Sequence, residues 1–311
     1  MPREFLPTQR EARKVERISE AEEKVFKLLV PKYKAQAIKP GGFIGVDGYT
    51  EESIKRDVLS VETKKARIKE QGTEPSKRAQ LLEALFAEGI ELNEWGGPDA
   101  MTIVPSDYDD LYNGIDLAIE LPKDAEDFEY LAMGIDVTSS PDAINKKLSI
   151  IKKHIKDGTL TEMKYFESER NEFKGRMPQI PNIVIGAEGK SIQELAELWL
   201  TVNQGRLANK EGLSEESIKS QKERIREAQK KLAGHRLQIL LLEQIEKQLS
   251  TFLEFAKKIK KQEIVGKYET FLKLVRGILS EKEISDDDQM RNEEDKVSEA
   301  MDYALNSFDD L

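Results

Sequence analysis

The sequence predicts a mixed α/β fold, with one α/β core and helical additions on both sides of it. Three observations lead there. Between residues 100 and 138, apolar and polar residues alternate, the period of a half-buried strand. On either side of that stretch, apolar residues recur every three or four positions, the period of a helix. Before residue 76 and after residue 204 the chain becomes charged and helical, with few apolar positions. The boundaries read from these shifts are a helical N-terminal extension over 1–75, an α/β core over 76–204, a helical or coiled-coil region over 205–280 and an acidic tail over 281–311.

The elements follow in order. Residues 8–30 read as a charged helix with Ile18, Val25, Leu28 and Leu29 as its apolar stripe, ended by Pro31. Pro40-Gly41-Gly42 and Asp47-Gly48 mark loops. Glu51 to Glu70 reads as a second charged helix, closed by Gly72 and Pro75. These first 75 residues are a partner-binding arm or a solvated accessory hairpin. Ser76 to Ala87 is a compact amphipathic helix with Ala79, Leu82, Leu85 and Phe86 on one side, ended at Gly89. Strands are expected at Ala100–Val104, Asn113–Leu121 and Phe128–Thr138. Pro141 to Lys156 is a helix that opens on a proline and closes at Gly158. Glu162–Phe166 and Asn182–Gly186 are further strands, and Ser191–Val202 a further helix. Ser214 to Lys261 is one long helix or two meeting at Gly234. In it Ile225, Leu232 and Ile239 are spaced by seven, as are Leu242, Leu249 and Ala256. That spacing suggests a coiled-coil or bundle seam, and predicts a protein partner or a homo-oligomer formed through 205–262. Tyr268–Leu279 is the last clear helix. Val297–Leu311 is a short helix or disordered.

Composition removes several chemistries. The 311 residues include no cysteine, which excludes disulfides, thiolate zinc sites and a cysteine nucleophile. The two histidines, His154 and His235, leave little room for a histidine metal site or a Ser-His-Asp triad. No run approaches the roughly 18 apolar residues of a membrane span, and Met1–Glu20 lacks an apolar signal core. The expectation is a soluble cytoplasmic protein with no membrane partner, in which any metal is a hard cation held by carboxylates. The net charge of −10 argues at first against a phosphate-bearing partner. Its distribution changes that argument. Residues 97–140 hold 11 acidic and 1 basic residue, while residues 201–262 hold 14 basic and 8 acidic. The chain is acidic where a cation would sit and basic where a phosphate backbone could lie.

Two segments carry the chemistry. In Gly114-Ile115-Asp116-Leu117-Ala118-Ile119-Glu120 and in Gly134-Ile135-Asp136-Val137-Thr138, apolar residues take the odd positions and polar residues most of the even ones. A side-chain period of two separates these sets onto opposite faces. If the segments pair as a hairpin, Asp116 and Asp136 share a face, where two carboxylates repel unless a cation lies between them. Oxygen ligands suit Mg²⁺ or Mn²⁺, which keep waters and bridge to phosphate. The plain alternative is the solvated face of an edge hairpin. Glu120 is a spare ligand on the same face. Asp109 and Asp110 either bind a second cation or face water. Thr138, Ser139 and Ser140 either contact phosphate or cap the following helix. His154 and His235 read as packed or surface residues, and Trp95 and Trp199 as core anchors. Gly186-Ala187-Glu188-Gly189 lacks phosphate-loop spacing.

The order of helix, three strands, helix and strand, with acids at these positions, resembles the PD-(D/E)XK nuclease superfamily over about residues 76–190. The resemblance implies a restriction-endonuclease-like three-layer core with a mixed sheet. Glu83 matches the acid of the first core helix and Asp116 the motif aspartate. Asp136-Val137-Thr138 takes the place of the acid-x-Lys triplet, with Thr138 where the family has lysine. Some members carry that lysine on the following helix, which here offers Lys146, Lys147, Lys152 and Lys153. The buried stripe of that helix is Ile144, Leu148, Ile151 and Ile155. At about 100° per residue, Lys147 lies roughly 60° from the stripe and Lys146 nearly opposite it. Lys152 flanks the other edge, a turn further from the strand end. Lys147 is therefore the choice. The implied activity is metal-dependent phosphodiester hydrolysis on nucleic acid, DNA before RNA. Asp116, Asp136 and Glu83 would hold Mg²⁺ or Mn²⁺, and Lys147 would add positive charge. The alternative is a nuclease-fold scaffold that lost catalysis with the lysine at Thr138 and binds a partner through its helices.

Overall fold

The computed structural model describes residues 17–124, 127–207 and 214–309. The chain begins in α1 (Glu20–Ala35), which opens on a capping box between Ser19 and Glu22. The part of the expected first helix over residues 8–16 lies outside the described residues. Pro31 does not end this helix but lies within it, because burial of Val30 and Tyr33 on either side holds the last turns in place. Next comes α2 (Glu51–Gln71), capped by Thr50 and closed by Gly72 at φ 60°, where a left-handed residue is needed. The following helix, α3 (Lys77–Asn93), runs past Gly89. Gly89 is the seat of the Trp95 ring, which a Cβ there would meet at 2.5 Å.

Three strands follow: β1 (Met101–Ile103), β2 (Leu117–Asp124) and β3 (Asp127–Thr138). Then α4 (Pro141–Asp157) crosses over, and a hairpin of β4 (Thr161–Glu167) and β5 (Lys174–Ile180) precedes β6 (Asn182–Gly186). The main sheet runs β1-β2-β3-β6, with the first two pairings antiparallel and β3 parallel to β6. The parallel step requires a crossover, which α4 supplies. The hairpin β4–β5 forms a separate small sheet. Its second strand shows no alternation in sequence, because Gly175 and Pro178 interrupt it and only Gly175 and Ile180 of it are buried. The strand expected over Asn113–Leu121 starts later, at Leu117. Asp109–Asn113 form a π-helical turn that ends at Gly114, at φ 67°.

The sheet has two different faces. Leu117, Ile119, Leu121, Met133, Ile135 and Val137 join the large core shared with the helices. Ala118 and Ala132, of the opposite parity, pack on Met163, Phe166 and Ile180 of the hairpin. The large core runs unbroken across the boundaries read in the sequence: Val25 of α1, Leu85 of α3 and Phe308 near the C-terminus belong to it.

After β6 come α5 (Gly189–Leu207), α6 (Glu215–Ala233), α7 (Leu237–Lys258) and α8 (Gln262–Ser280). The long helical stretch is thus two helices that break at Gly234. The heptad seam is largely internal. Ile239, Leu242, Leu249 and Ala256 are buried within the chain, and the last three share one core with β6, α8 and the C-terminal residues. Heptad spacing marks an apolar face and leaves open what covers it, and here the chain covers it itself. The edge of β6 is closed by α7 as well. Gln244 Nε2 donates to the Gly186 carbonyl (2.8 Å) while its Oε1 accepts from the Gly186 N–H (2.9 Å). Gln248 does the same for Val184, at 2.6 and 2.9 Å.

The acidic segment from 281 onward is a folded part of the core rather than a tail. It forms α9 (Asp286–Glu293) and α10 (Lys296–Leu305). Val297, Met301, Leu305 and Phe308 are buried, so the acidic residues coat the outer side of an amphipathic face. Asp295, fully buried, caps α10 by accepting from the N–H groups of Val297 (3.0 Å) and Ser298 (3.1 Å). It also accepts from Glu188 N–H (2.9 Å) and Ser191 Oγ (3.4 Å) at the start of α5. Asp295→Ala removes a cap and strands buried donors. It is expected to lower unfolding free energy by about 3 kcal/mol in urea melts. Among the described residues, no helix is long and apolar enough to cross a membrane.

Candidate active site

An open cleft of about 910 Å³ lies where α1, α3, the ends of the central strands and α4 meet, with α2 along one wall. Its acidic floor is built from residues distant in sequence. Asp116 stands one residue before β2. Its N–H donates to the Ile135 carbonyl at 2.8 Å, and Leu117 pairs with Ile135, so the register sets Asp116 opposite Asp136. Asp116 Oδ2 accepts from the Val137 N–H at 2.7 Å, which fixes the side chain against β3.

Asp136 lies in β3 opposite Val184 of β6, and Lys147 of α4 forms an ion pair with its carboxylate. Lys147 Nζ also reaches the Val137 carbonyl at 3.4 Å. Burial pushes the Asp136 carboxyl up to about 8; the Asp116 charge adds to the rise and Lys147 opposes it. Glu83, in the middle of α3 and 4% exposed, pairs with Lys34 of α1 at 3.1 Å. Burial, then the Asp116 charge, pushes its carboxyl up to about 8, against the pull of Lys34. Asp110 is raised to about 7 by burial first and by Asp116 second. Burial works against the Lys34 ammonium, but Glu83 and Asp110 outweigh it and hold its pKa above the ordinary lysine value. Tyr33 donates from its hydroxyl to the Asp116 carbonyl at 3.3 Å.

The structure therefore lines one cleft with Glu83, Asp116 and Lys147, and Asp136 stands behind that lining, opposite Asp116 and paired with Lys147. Asp110, one of the two acids offered for a second cation, lines the cleft too, and Lys34 is added to them. Four carboxyl groups face two ammonium groups, and the charge of Asp116 disfavours ionisation of three neighbours. Crowding of carboxyl groups around Asp116 is a repulsion that a hard cation would relieve. Among the described residues, no three acidic or histidine side chains are gathered as a ready-made metal cage. Carboxylate oxygens fit a hard cation that takes one or two of them and keeps its waters.

The other candidates divide. Lys146 is exposed at the rim of the cleft. Lys152 points elsewhere, to the Ser307 carbonyl and over the rings of Phe255 and Phe308. Thr138 is buried, and its hydroxyl bonds the backbone of Ser140 at 3.1 and 3.3 Å. Ser140 stands at the start of α4 but makes no side-chain cap. The Ser139 hydroxyl instead bonds that of Ser76 at 2.9 Å. Glu120 is buried away from the cleft lining; it accepts from Ser168 Oγ (2.6 Å) and Glu169 N–H (3.1 Å), so it anchors a turn. Asp109 is also structural. It accepts from Ser106 Oγ, Asn113 Nδ2, Lys164 N–H and Tyr165 N–H at 2.6 to 3.0 Å, tying the π-helical turn to β4.

His154 is half-buried on α4. His235 is buried at the start of α7, where burial lowers its imidazole to about 4. Trp95 donates to the Ala233 carbonyl at 3.2 Å and Trp199 to Glu88, so both anchor packed helices. The sequence offers no signal for Lys34, which lies beyond Pro31, the expected end of the first helix. Of the two acids read as second-cation ligands or solvent-facing, Asp110 lines the cleft and Asp109 does not. Comparison of the chain with family models, with curated proteins and with solved structures returns no match.

Proposed function

We propose that the chain is a metal-dependent phosphodiesterase of the PD-(D/E)XK type, acting on nucleic acid, with DNA the preferred substrate over RNA. The observation that carries this reading is the set of opposed carboxylates, Asp116 and Asp136, with Lys147 from the crossover helix on Asp136 and Glu83 from α3 beside them. The order α3-β1-β2-β3-α4-β6 around a mixed sheet supports it. Asp116, Asp136 and Glu83 would hold Mg²⁺ or Mn²⁺. When bound, such a cation lowers the pKa of its water and screens the phosphate oxygens. Lys147 stands in for the lysine missing at Thr138, keeping a positive charge beside Asp136 where negative charge grows on the phosphate. Lys65, Lys69 and Lys146 line the cleft as positive contacts for the phosphates on either side.

The test is cleavage of plasmid DNA, single-stranded DNA and RNA with Mg²⁺ or Mn²⁺. Asp136→Ala and Lys147→Ala are each expected to lower the rate at least about 100-fold. Equal rates in wild type and Asp136→Ala would refute the assignment. A second reading has its own support: Lys34 and Lys147 already pair Glu83 and Asp136, and Thr138 bonds its own turn. A non-catalytic scaffold follows if no nucleic acid is cut and calorimetry detects no Mg²⁺ binding.

A further inference from the structure

The helix α2 is 21 residues long, yet its buried residues are Ile54, Asp57 and Val61. Helices of this kind are held in water chiefly by burial of an apolar face. The inner side of α2 is tied down by polar contacts. Asp57 accepts from Tyr165 (2.5 Å) and pairs with Lys164 (2.5 Å), and Lys65 pairs with Asp107 (2.7 Å). On the outer side Lys55 pairs with Glu51 one turn earlier in the same helix (2.5 Å), and the apolar residues there stand open. Val58 is 40% exposed, Leu59 63% and the neighbouring Ile44 58%. With Ile54 they line a shallow groove of about 340 Å³ bordered by Glu51, Lys55 and Glu62.

The charges on this face are arranged symmetrically. Lys55, Val58, Leu59 and Glu62 recur at helical spacing and share one stripe. Lys55 and Glu62 lie at equal distances on either side of the Val58–Leu59 midpoint. A second copy of α2 laid antiparallel across a two-fold axis at that midpoint sets Lys55 of each copy against Glu62 of the other. It also sets Val58 against Leu59, twice. A parallel pair would set like charges together. An isologous contact needs this self-complementarity, in which residue i meets j and j meets i. A uniformly charged partner such as nucleic acid would meet both signs at once.

We propose that the Ile44, Val58 and Leu59 face of α2 is an antiparallel homodimer contact between two copies of this chain. The contact stands apart from the 205–262 seam, which the chain largely buries itself, and does not depend on the activity proposed above. Because Lys65 and Lys69 of the same helix line the acidic cleft, the dimer holds two clefts on one rigid frame. One helix pair is smaller than a standard interface, so the association is weak and belongs to the micromolar range.

Sedimentation equilibrium of the full chain across that range tests the proposal. Wild type is expected to pass from monomer to dimer with concentration, and Leu59→Glu to remain monomeric with unchanged helical circular dichroism. Lys55→Glu and Glu62→Lys each weaken association at least about tenfold by placing like charges together. Their combination in one chain restores it. So does mixing the two single variants, since each copy then supplies the charge that the other needs. The mixture separates pairing between copies from any change within one helix, which mixing cannot repair. A wild type that stays monomeric overturns the proposal. So does association that Leu59→Glu leaves intact, or charge variants that neither combination nor mixing restores.

Discussion

Asp116→Asn is expected to abolish metal-dependent cleavage and, at the same time, to raise the melting temperature of the metal-free protein at alkaline pH. The asparagine oxygen can still accept the Val137 N–H, so the hairpin end keeps its tie. What disappears is the charge that adds to burial in raising Glu83, Asp110 and Asp136. These carboxyls titrate higher in the folded chain than in the unfolded one. Their favourable contribution is therefore complete below pH ~4, the range of unfolded carboxyls, and is lost as pH rises through about 7 to about 8. Each pKa unit corresponds to about 1.4 kcal/mol, so a gain on the order of 1–3 kcal/mol, or a few degrees, is expected at alkaline pH. Wild type and variant should converge in acid and diverge above neutrality. Added Mg²⁺ should raise the melting temperature of wild type more than that of the variant, because a cation relieves the same repulsion. Calorimetric scans against pH, with and without Mg²⁺, measure all of this. A variant that melts below wild type at alkaline pH would show that the charge of Asp116 is needed by Lys34 and Lys147. The cluster would then be a structural ion network.

The second large effect lies on the far side of the sheet. Gln248→Leu leaves the Val184 N–H and carbonyl buried without partners, and each orphaned group costs about 1–3 kcal/mol. A loss of about 3–5 kcal/mol is expected in urea unfolding. Gln244→Leu does the same to Gly186. The double variant therefore approaches the whole stability margin of an ordinary domain, and its β6 edge is open to pairing with other chains. It is expected in the insoluble fraction, while each single variant remains folded but less stable. A Gln248→Leu protein as stable as wild type would refute this account of the edge.

The sequence by itself determined what repeats locally. Period-two alternation placed Asp116 and Asp136 on one face of a hairpin, and the buried odd residues held the register that sets them opposite. The angular position of Lys147 beside the stripe of Ile144, Leu148, Ile151 and Ile155 distinguished it from Lys146, and Lys147 is the lysine that meets Asp136. The tertiary structure decided what meets each face. The seven-residue spacing of Leu242, Leu249 and Ala256 marks an apolar stripe, but only packing shows that this chain covers it. Counting charges made 281–311 a tail, although Val297, Met301, Leu305 and Phe308 recur at helical spacing and are buried. Lys34 lies 49 positions from Glu83, and Gln248 lies 64 from Val184. Periodicity tells a side chain which way to face, whereas its partner is chosen by long-range packing that no local window contains.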